Sequence, residues 1–110
     1  MAEDVSLDKV LQSGYIAQGP VVDVLEEKLQ VYTGSALCAT VNAGTSALHL
    51  ALRMVRDECG GRNTVLSIPL TCTATNFPIL ANGFDIRWVD TDPTTCNVDL
   101  VDLRRTLSPD

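Results

Sequence analysis

The sequence predicts an α/β chain: three βα units with parallel strands, preceded by one or two helices. Three observations carry the prediction. Short apolar runs alternate with stretches whose apolar residues recur at three and four positions, the period of one helix face. Glycine and proline punctuate the boundaries between them. Each strand-like run leads through a short polar loop into a helix, and connections of that kind force parallel strands with right-handed crossovers.

Each element has its own reason. Ser6 to Gln12 predicts a short helix with Val10 and Leu11 as apolar contacts, ended by Gly14. Gly14 to Pro20 predicts an extended loop, so residues 1–19 read as a helix-and-loop arm. Pro20 suits a first helical turn, where its missing N–H had no partner to lose. From Val21 to Tyr32, the residues Val22, Leu25, Leu29 and Tyr32 make a helical stripe, with Asp23, Glu26 and Glu27 towards the end that the helix dipole makes positive. Thr33-Gly34 closes it. Leu37 to Val41 is nearly continuous and apolar, the pattern of a strand covered on both faces. Asn42 to Ser46 is a turn into a helix from Ala47 to about Glu58, with Leu48, Ala51, Leu52 and Val55 as its inner stripe and Gly60-Gly61 as its stop. Thr64 to Ile68 is the second strand, ended by Pro69. Thr75 to Asn82 is the next helix, with Pro78 in its first turn, where free donors tolerate proline. Ile86 to Val89, with Trp88 as a core residue, is the third strand. Asp90-Thr91-Asp92-Pro93 has the composition of a turn. Asp99 can cap a last helix carrying Leu100, Leu103 and Leu107. Three parallel strands would leave two sheet edges open, which favours association. The rhythm also asks for a further strand after Pro109, so the chain is expected to be an incomplete N-terminal portion of a larger domain.

Composition narrows the function. The 110 residues carry 8 Lys+Arg against 14 Asp+Glu, a formal net charge of −6, which argues against a nucleic-acid groove or docking on anionic lipid. The acidic start Met1-Ala2-Glu3-Asp4 is unlike a secretory leader, and no apolar run approaches the ~20 residues that span a bilayer. Cys38, Cys59, Cys72 and Cys96 have no Cys-x-x-Cys spacing, and a single histidine cannot complete a Cys/His metal site. Four reduced thiols, mostly packed in the core, in a cytoplasmic protein are the expectation.

Ligands of open α/β sheets collect at the carboxyl ends of the strands. Two loops there are polar. In Asn42-Ala43-Gly44-Thr45-Ser46, a glycine, two hydroxyls and the free N–H groups of a helix start suit a phosphate, although the same residues also make an ordinary helix start. In Pro69 to Asn76, Thr71, Cys72, Thr73 and Thr75 either line a pocket or cap the following helix. No paired carboxylates or Ser/His/Asp grouping stands out. His49 aligns with Arg53 and Arg56 rather than with the ligand-facing loop, which favours a surface or helix-packing role.

Gly14-Tyr15-Ile16-Ala17-Gln18-Gly19-Pro20, Val41-Asn42-Ala43-Gly44-Thr45-Ser46-Ala47-Leu48-His49-Leu50-Ala51-Leu52, Pro69 to Gly83, Val89 to Pro93 and Asn97-Val98-Asp99 together resemble the DegT/DnrJ/EryC1/StrS family. These are pyridoxal-phosphate-dependent aminotransferases of nucleotide-linked sugars. The resemblance implies part of a fold-type I large domain, with Gly44, Thr45 and Ser46 holding the cofactor's phosphate. Cys72, preceded by Thr71, stands where many members stack an aromatic residue on the pyridine ring; Phe77, otherwise a helix-core residue, is a substitute for that cover. It also implies a nucleotide-linked keto sugar and an amino-acid donor, glutamate, as substrates, and a homodimer. The family's Schiff-base lysine belongs downstream of this stretch. Lys9 and Lys28 are the only lysines, and the acidic neighbours Glu26 and Glu27 keep Lys28 protonated, so the chain alone is expected to be inactive and to hold no catalytic residue. Two alternatives stay open: a non-catalytic phosphate- or nucleotide-binding assembly module, and a dehydratase of the same family.

Overall fold

The structure, a computed structural model, describes residues 6–107. The acidic start Met1–Asp4 and the end Ser108–Asp110 lie outside them. The chain divides into two compact units, Met1–Thr40 and Val41–Asp110.

In the first unit, α1 (Leu7–Ser13) ends on Gly14 in the left-handed region at φ 77°. The Ser13 hydroxyl donates to the Val10 carbonyl (2.7 Å) and accepts from the Tyr15 N–H (3.1 Å), fastening that turn. Helix α2 (Pro20–Thr33) starts with proline at its first position, as expected, and its cap Gly19 is needed for space. A Cβ there would lie 2.7 Å from Tyr15 Cβ. Leu37 to Val41 belongs to no strand, unlike the sequence-based expectation. The reason is visible at Thr40: its N–H and hydroxyl both donate to Glu26 Oε1, at 2.7 and 2.8 Å. A backbone donor spent on a carboxylate is not available to a ladder. The same two bonds hold the Glu26 carboxyl below its ordinary pKa, the backbone donor first.

The second unit runs α3 (Gly44–Glu58), β1 (Thr64–Ser67), α4 (Thr73–Ala81), β2 (Asp85–Trp88) and α5 (Leu100–Thr106). Strands β1 and β2 pair in parallel, Thr64 opposite Asp85 through Ser67 opposite Trp88, so β1–α4–β2 is the βαβ unit the pattern predicts. Among the described residues the ladder has these two strands. Helix α4 starts two residues earlier than expected, which moves Pro78 from the first turn to the helix interior. There its ring removes the bond to the Ala74 carbonyl, a cost tolerated because Pro78 is fully buried.

The core is small: Pro78, Ile79, Phe84 and Val89, with Val89 at 1% exposure. Asn82, also buried, donates from Nδ2 to the Pro78 carbonyl (2.8 Å) and to the His49 carbonyl (3.1 Å), joining α3 to α4. Two turns further along α3, Arg56 donates to the Gly83 carbonyl and lies 5.2 Å from the Phe84 ring centroid. Gly83 sits at φ 73°, and a Cβ there would meet that guanidinium at 3.2 Å. The face of α3 against α4 thus carries His49 and Arg56. Leu48 and Val55, expected on the inner stripe, are 43% and 52% exposed. Trp88 and Phe77 are exposed rather than core, and none of the four cysteines is buried. Small hydrophobes find too little core here to fill.

After β2, Thr91 pairs with Val98 across a tight turn in which Asp92 Oδ1 accepts from the Thr94 and Thr95 N–H groups. Asp99 caps α5 as expected, accepting from the N–H groups of Val101 (2.7 Å) and Asp102 (3.3 Å). Asp102 accepts from the Asp90 N–H at 2.8 Å and pairs with Arg105, and these contacts lower its pKa, the Asp90 bond most.

Candidate functional site

Two helix starts in the second unit carry the candidate loops, those of α3 and α4, whose helices pack against each other through Asn82 and His49. Helix α4 follows the carboxyl end of β1. Between α3 and β1 the chain turns through Gly60 and Gly61 (φ 62° and 93°). These two starts share a further property. Neither has an acidic residue in its first turn and neither is capped by a side chain, whereas α5 has both. On a chain of net charge −6, carboxylates are absent from the first turns of α3 and α4, where the backbone presents positive charge, although α1, α2 and α5 each carry one.

Gly44, Thr45 and Ser46 form the first turn of α3, three residues earlier than the expected helix start. Ala43 is the cap, extended at φ −157°, ψ 153°, and offers no side-chain acceptor. The first intrahelical bond runs from the Ala47 N–H to the Ala43 carbonyl at 3.1 Å. The N–H groups of residues 44–46 therefore precede the intrahelical ladder. Thr45 and Ser46 are half-buried, and Gly44 has nothing within 4 Å of the position a Cβ would take. A glycine in open space leaves room for a ligand to approach the backbone. Donors without a cap, two hydroxyls, no carboxylate and open space together fit a phosphate.

Ser46 is tied to Asn42: its hydroxyl donates to Asn42 Oδ1 at 2.9 Å. Thr45 and Ser46 also border an open, mostly apolar depression of about 330 Å³ completed by His49, Leu50, Phe77 and Pro78. His49 lies one turn after Thr45, and both its packing on Asn82 and its place in this wall follow from that spacing, which brings it nearer the phosphate turn than its alignment with Arg53 suggested. Thr71 and Cys72 are not part of the depression. Cys72 is the exposed cap residue of α4, and the Thr71 hydroxyl donates to that of Thr75 at 3.3 Å. One turn into α4, Asn76 accepts the Ser67 hydroxyl at 2.6 Å, which fixes the helix start to the end of β1. Asn42 was legible only as part of the loop; its spacing of four from Ser46 was the signal for its contact.

Among the described residues no His/Cys/Asp/Glu group has the arrangement of a metal site, and no helix is long and apolar enough to cross a membrane. Lys9 and Lys28 lie in the first unit, on a groove of about 880 Å³ whose wall is otherwise mostly apolar, including Tyr15, Ile16 and Leu25.

Comparison with known proteins shows what the chain is similar to. The solved structure of AtS13 from Actinomadura melliaura is 48% identical, with a TM-score of 0.78 over 93% of this chain and 27% of its own. The sugar aminotransferase CalS13 from Micromonospora echinospora is 46% identical, with a TM-score of 0.76 over 99% of this chain and 30% of its own. The spore coat polysaccharide biosynthesis protein SpsC of Bacillus subtilis is 32% identical over 92% of this chain and 25% of its own length. The chain thus spans about a quarter of the curated relatives it matches. The model of the DegT/DnrJ/EryC1/StrS aminotransferase family matches residues 2–110, and the chain belongs to that family.

Proposed function

We propose that this chain is the phosphate-holding N-terminal part of a pyridoxal-phosphate-dependent aminotransferase acting on a nucleotide-linked keto sugar, 4-keto in the first instance. One observation carries the proposal: the uncapped, carboxylate-free first turn of α3, Gly44-Thr45-Ser46. Family membership and the sugar aminotransferase CalS13 among its structural neighbours support the reaction class. When bound, pyridoxal phosphate supplies the electron sink for exchange of the amino group between glutamate and the sugar.

The residues of this chain bind and orient. The free N–H groups of Gly44, Thr45 and Ser46, with the Thr45 and Ser46 hydroxyls, would hold the cofactor's phosphate. Thr71 and Cys72, at the start of α4, would border the cofactor's ring, where Cys72 would offer a thiol in place of an aromatic side chain. The lysine that completes the chemistry is neither Lys9 nor Lys28, and the 110-residue chain alone catalyses no transamination. The open sheet edges and exposed apolar helix faces make it associate, as a homodimer in the intact enzyme.

The test is direct. Pyridoxal phosphate and inorganic phosphate are titrated into the purified chain while backbone amide resonances are followed. Saturable shifts centred on residues 44–46 support the reading, and shifts elsewhere with none at that turn refute it. Turnover of a keto sugar by the chain alone would refute the inactivity, and a monomer by light scattering at tens of micromolar would refute the association.

A further inference from the structure

We propose that His49 is a proton-sensitive flap on the α3–α4 seam: the neutral imidazole lies against Asn82 and closes one wall of the depression beside it, and the imidazolium turns away and opens that wall. His49 is the chain's single histidine, and the flap stands on contacts separate from the anion-binding turn.

Asn82 is buried, and its amino group faces three acceptors: the Pro78 carbonyl at 2.8 Å, the His49 carbonyl at 3.1 Å and His49 Nδ1 at 3.4 Å. Turning the carboxamide over would set Oδ1 against two main-chain carbonyls and strand the amino group. The two carbonyls therefore fix Nδ2 where it is. A fixed donor beside Nδ1 dictates the tautomer: Nδ1 keeps its lone pair and Nε2 carries the proton. An imidazole gains its second ring proton between about pH 8 and pH 5, and here that proton goes onto Nδ1. Two N–H donors then face each other. Asn82 is held by its two carbonyls, whereas His49 is half-buried and borders an open depression with Thr45, Leu50 and Phe77, so the ring is the partner that moves.

No neighbour offsets this. Helix α4 has no titratable residue. The charged groups further along α3 are Arg53, 3.8 Å from Asp57, and Arg56, which donates to the Gly83 carbonyl. Among the described residues no carboxylate pairs with His49 to hold an imidazolium in place. Asn82 keeps both carbonyl bonds, so the change is confined to the imidazole and the wall it forms, and the two helices stay joined.

The experiment follows the purified 110-residue chain by NMR from about pH 8 to pH 5, where a single histidine gives one unambiguous ring signal. The neutral ring is expected in its Nε2–H form. On acidification the Asn82 NH2 pair and the Thr45, Leu50 and Phe77 signals should shift with the midpoint of the His49 ring. His49→Asn puts an oxygen that accepts without titrating near the place of Nδ1, and should abolish those shifts. At about pH 5 the Asn82 amino group of the parent should exchange with solvent about twofold to threefold faster than in His49→Asn, the lower end of the range for one neutral hydrogen bond, and near pH 7 the two should match. Resonances of the Ile79, Phe84 and Val89 core report that the variant is folded. A neutral ring protonated at Nδ1, Asn82 signals that stay still through the His49 titration, or the same shifts persisting in His49→Asn would each overturn the proposal, and the first two are read on the parent chain alone.

Discussion

Replacing Ala43 by aspartate should move stability and ligand affinity in opposite directions, and this opposition is a stringent test of the α3 site. Ala43 already has the extended backbone of a helix cap, φ −157° and ψ 153°, but no side chain that accepts from the first turn. Aspartate fits that conformation and bonds an N–H two or three residues on, which is worth about 1 kcal/mol relative to alanine. Ala43 is itself exposed, so the new carboxylate enters solvent. The same carboxylate occupies a donor and places a negative charge roughly 6 Å from a bound phosphate. Two unit charges at that distance repel by about 0.7 kcal/mol in bulk water and about 3 kcal/mol at the effective dielectric of a protein surface, a loss of about threefold to a hundredfold in affinity. Urea denaturation of the free chain measures the first effect, and phosphate titration at low and moderate salt measures the second, which should shrink as salt screens it. A variant that gains stability and binds phosphate as tightly as the parent would show that the anion does not sit at this helix end. One that loses stability would show that the first turn of α3 is not short of a cap.

Four further outcomes follow from the structure. Asp99→Ala should cost about 1 kcal/mol by urea denaturation, because the Asp99 carboxylate caps two N–H groups of α5. Ile79→Ala should cost about 2–5 kcal/mol, enough to unfold a unit whose core is this small, and loss of the near-ultraviolet signal would report it. Glu26 and Asp102 both have folded pKa values below their ordinary ones, so they favour the folded form fully above their unfolded pKa values and lose that contribution as pH falls through the folded ones. Stability should therefore be level above about pH 5 and decline below about pH 4, and Asp102→Asn should flatten that decline in pH-dependent melts. Gly19→Ala should disturb the Tyr15–Pro20 loop, because its methyl group would lie 2.7 Å from Tyr15 Cβ; a shifted Tyr15 resonance is the expected sign.

Local chemistry made most elements legible. Proline at the head of α2, glycine after α1, and aspartate before α5 act within one turn of themselves, and each stands in the structure where its own backbone preference puts it. Gly44-Thr45-Ser46 was legible for the same reason, since a turn that exposes helix N–H groups is written in adjacent residues. What was not legible depends on competition between distant groups. Leu37 to Val41 has the composition of a buried strand, yet Glu26, fourteen residues away in sequence, takes the N–H of Thr40. The helix α4 boundary moved because Thr73, read as loop, is already helical, with Cys72 in the cap position but making no capping bond, which carried Pro78 into the interior.

The α3 stripe shows how pattern and burial part company. Leu48, Ala51, Leu52 and Val55 recur with helical period, and period reports which face a sequence prepares for burial. Burial itself reports what is present to cover that face. In this chain α4 covers the neighbouring face, through His49 and Arg56, and the Asn82 amide holds the two helices together there. Leu48 and Val55 remain substantially exposed, as do Trp88 and Phe77. Among the described residues nothing covers these apolar side chains. The phosphate turn differs in kind, because every group it presents comes from residues 42–46. Its ability to take an anion should thus survive in the isolated chain where the buried stripe does not, and anion binding without catalysis is the signature that separates this reading from both an inert fragment and a self-sufficient enzyme.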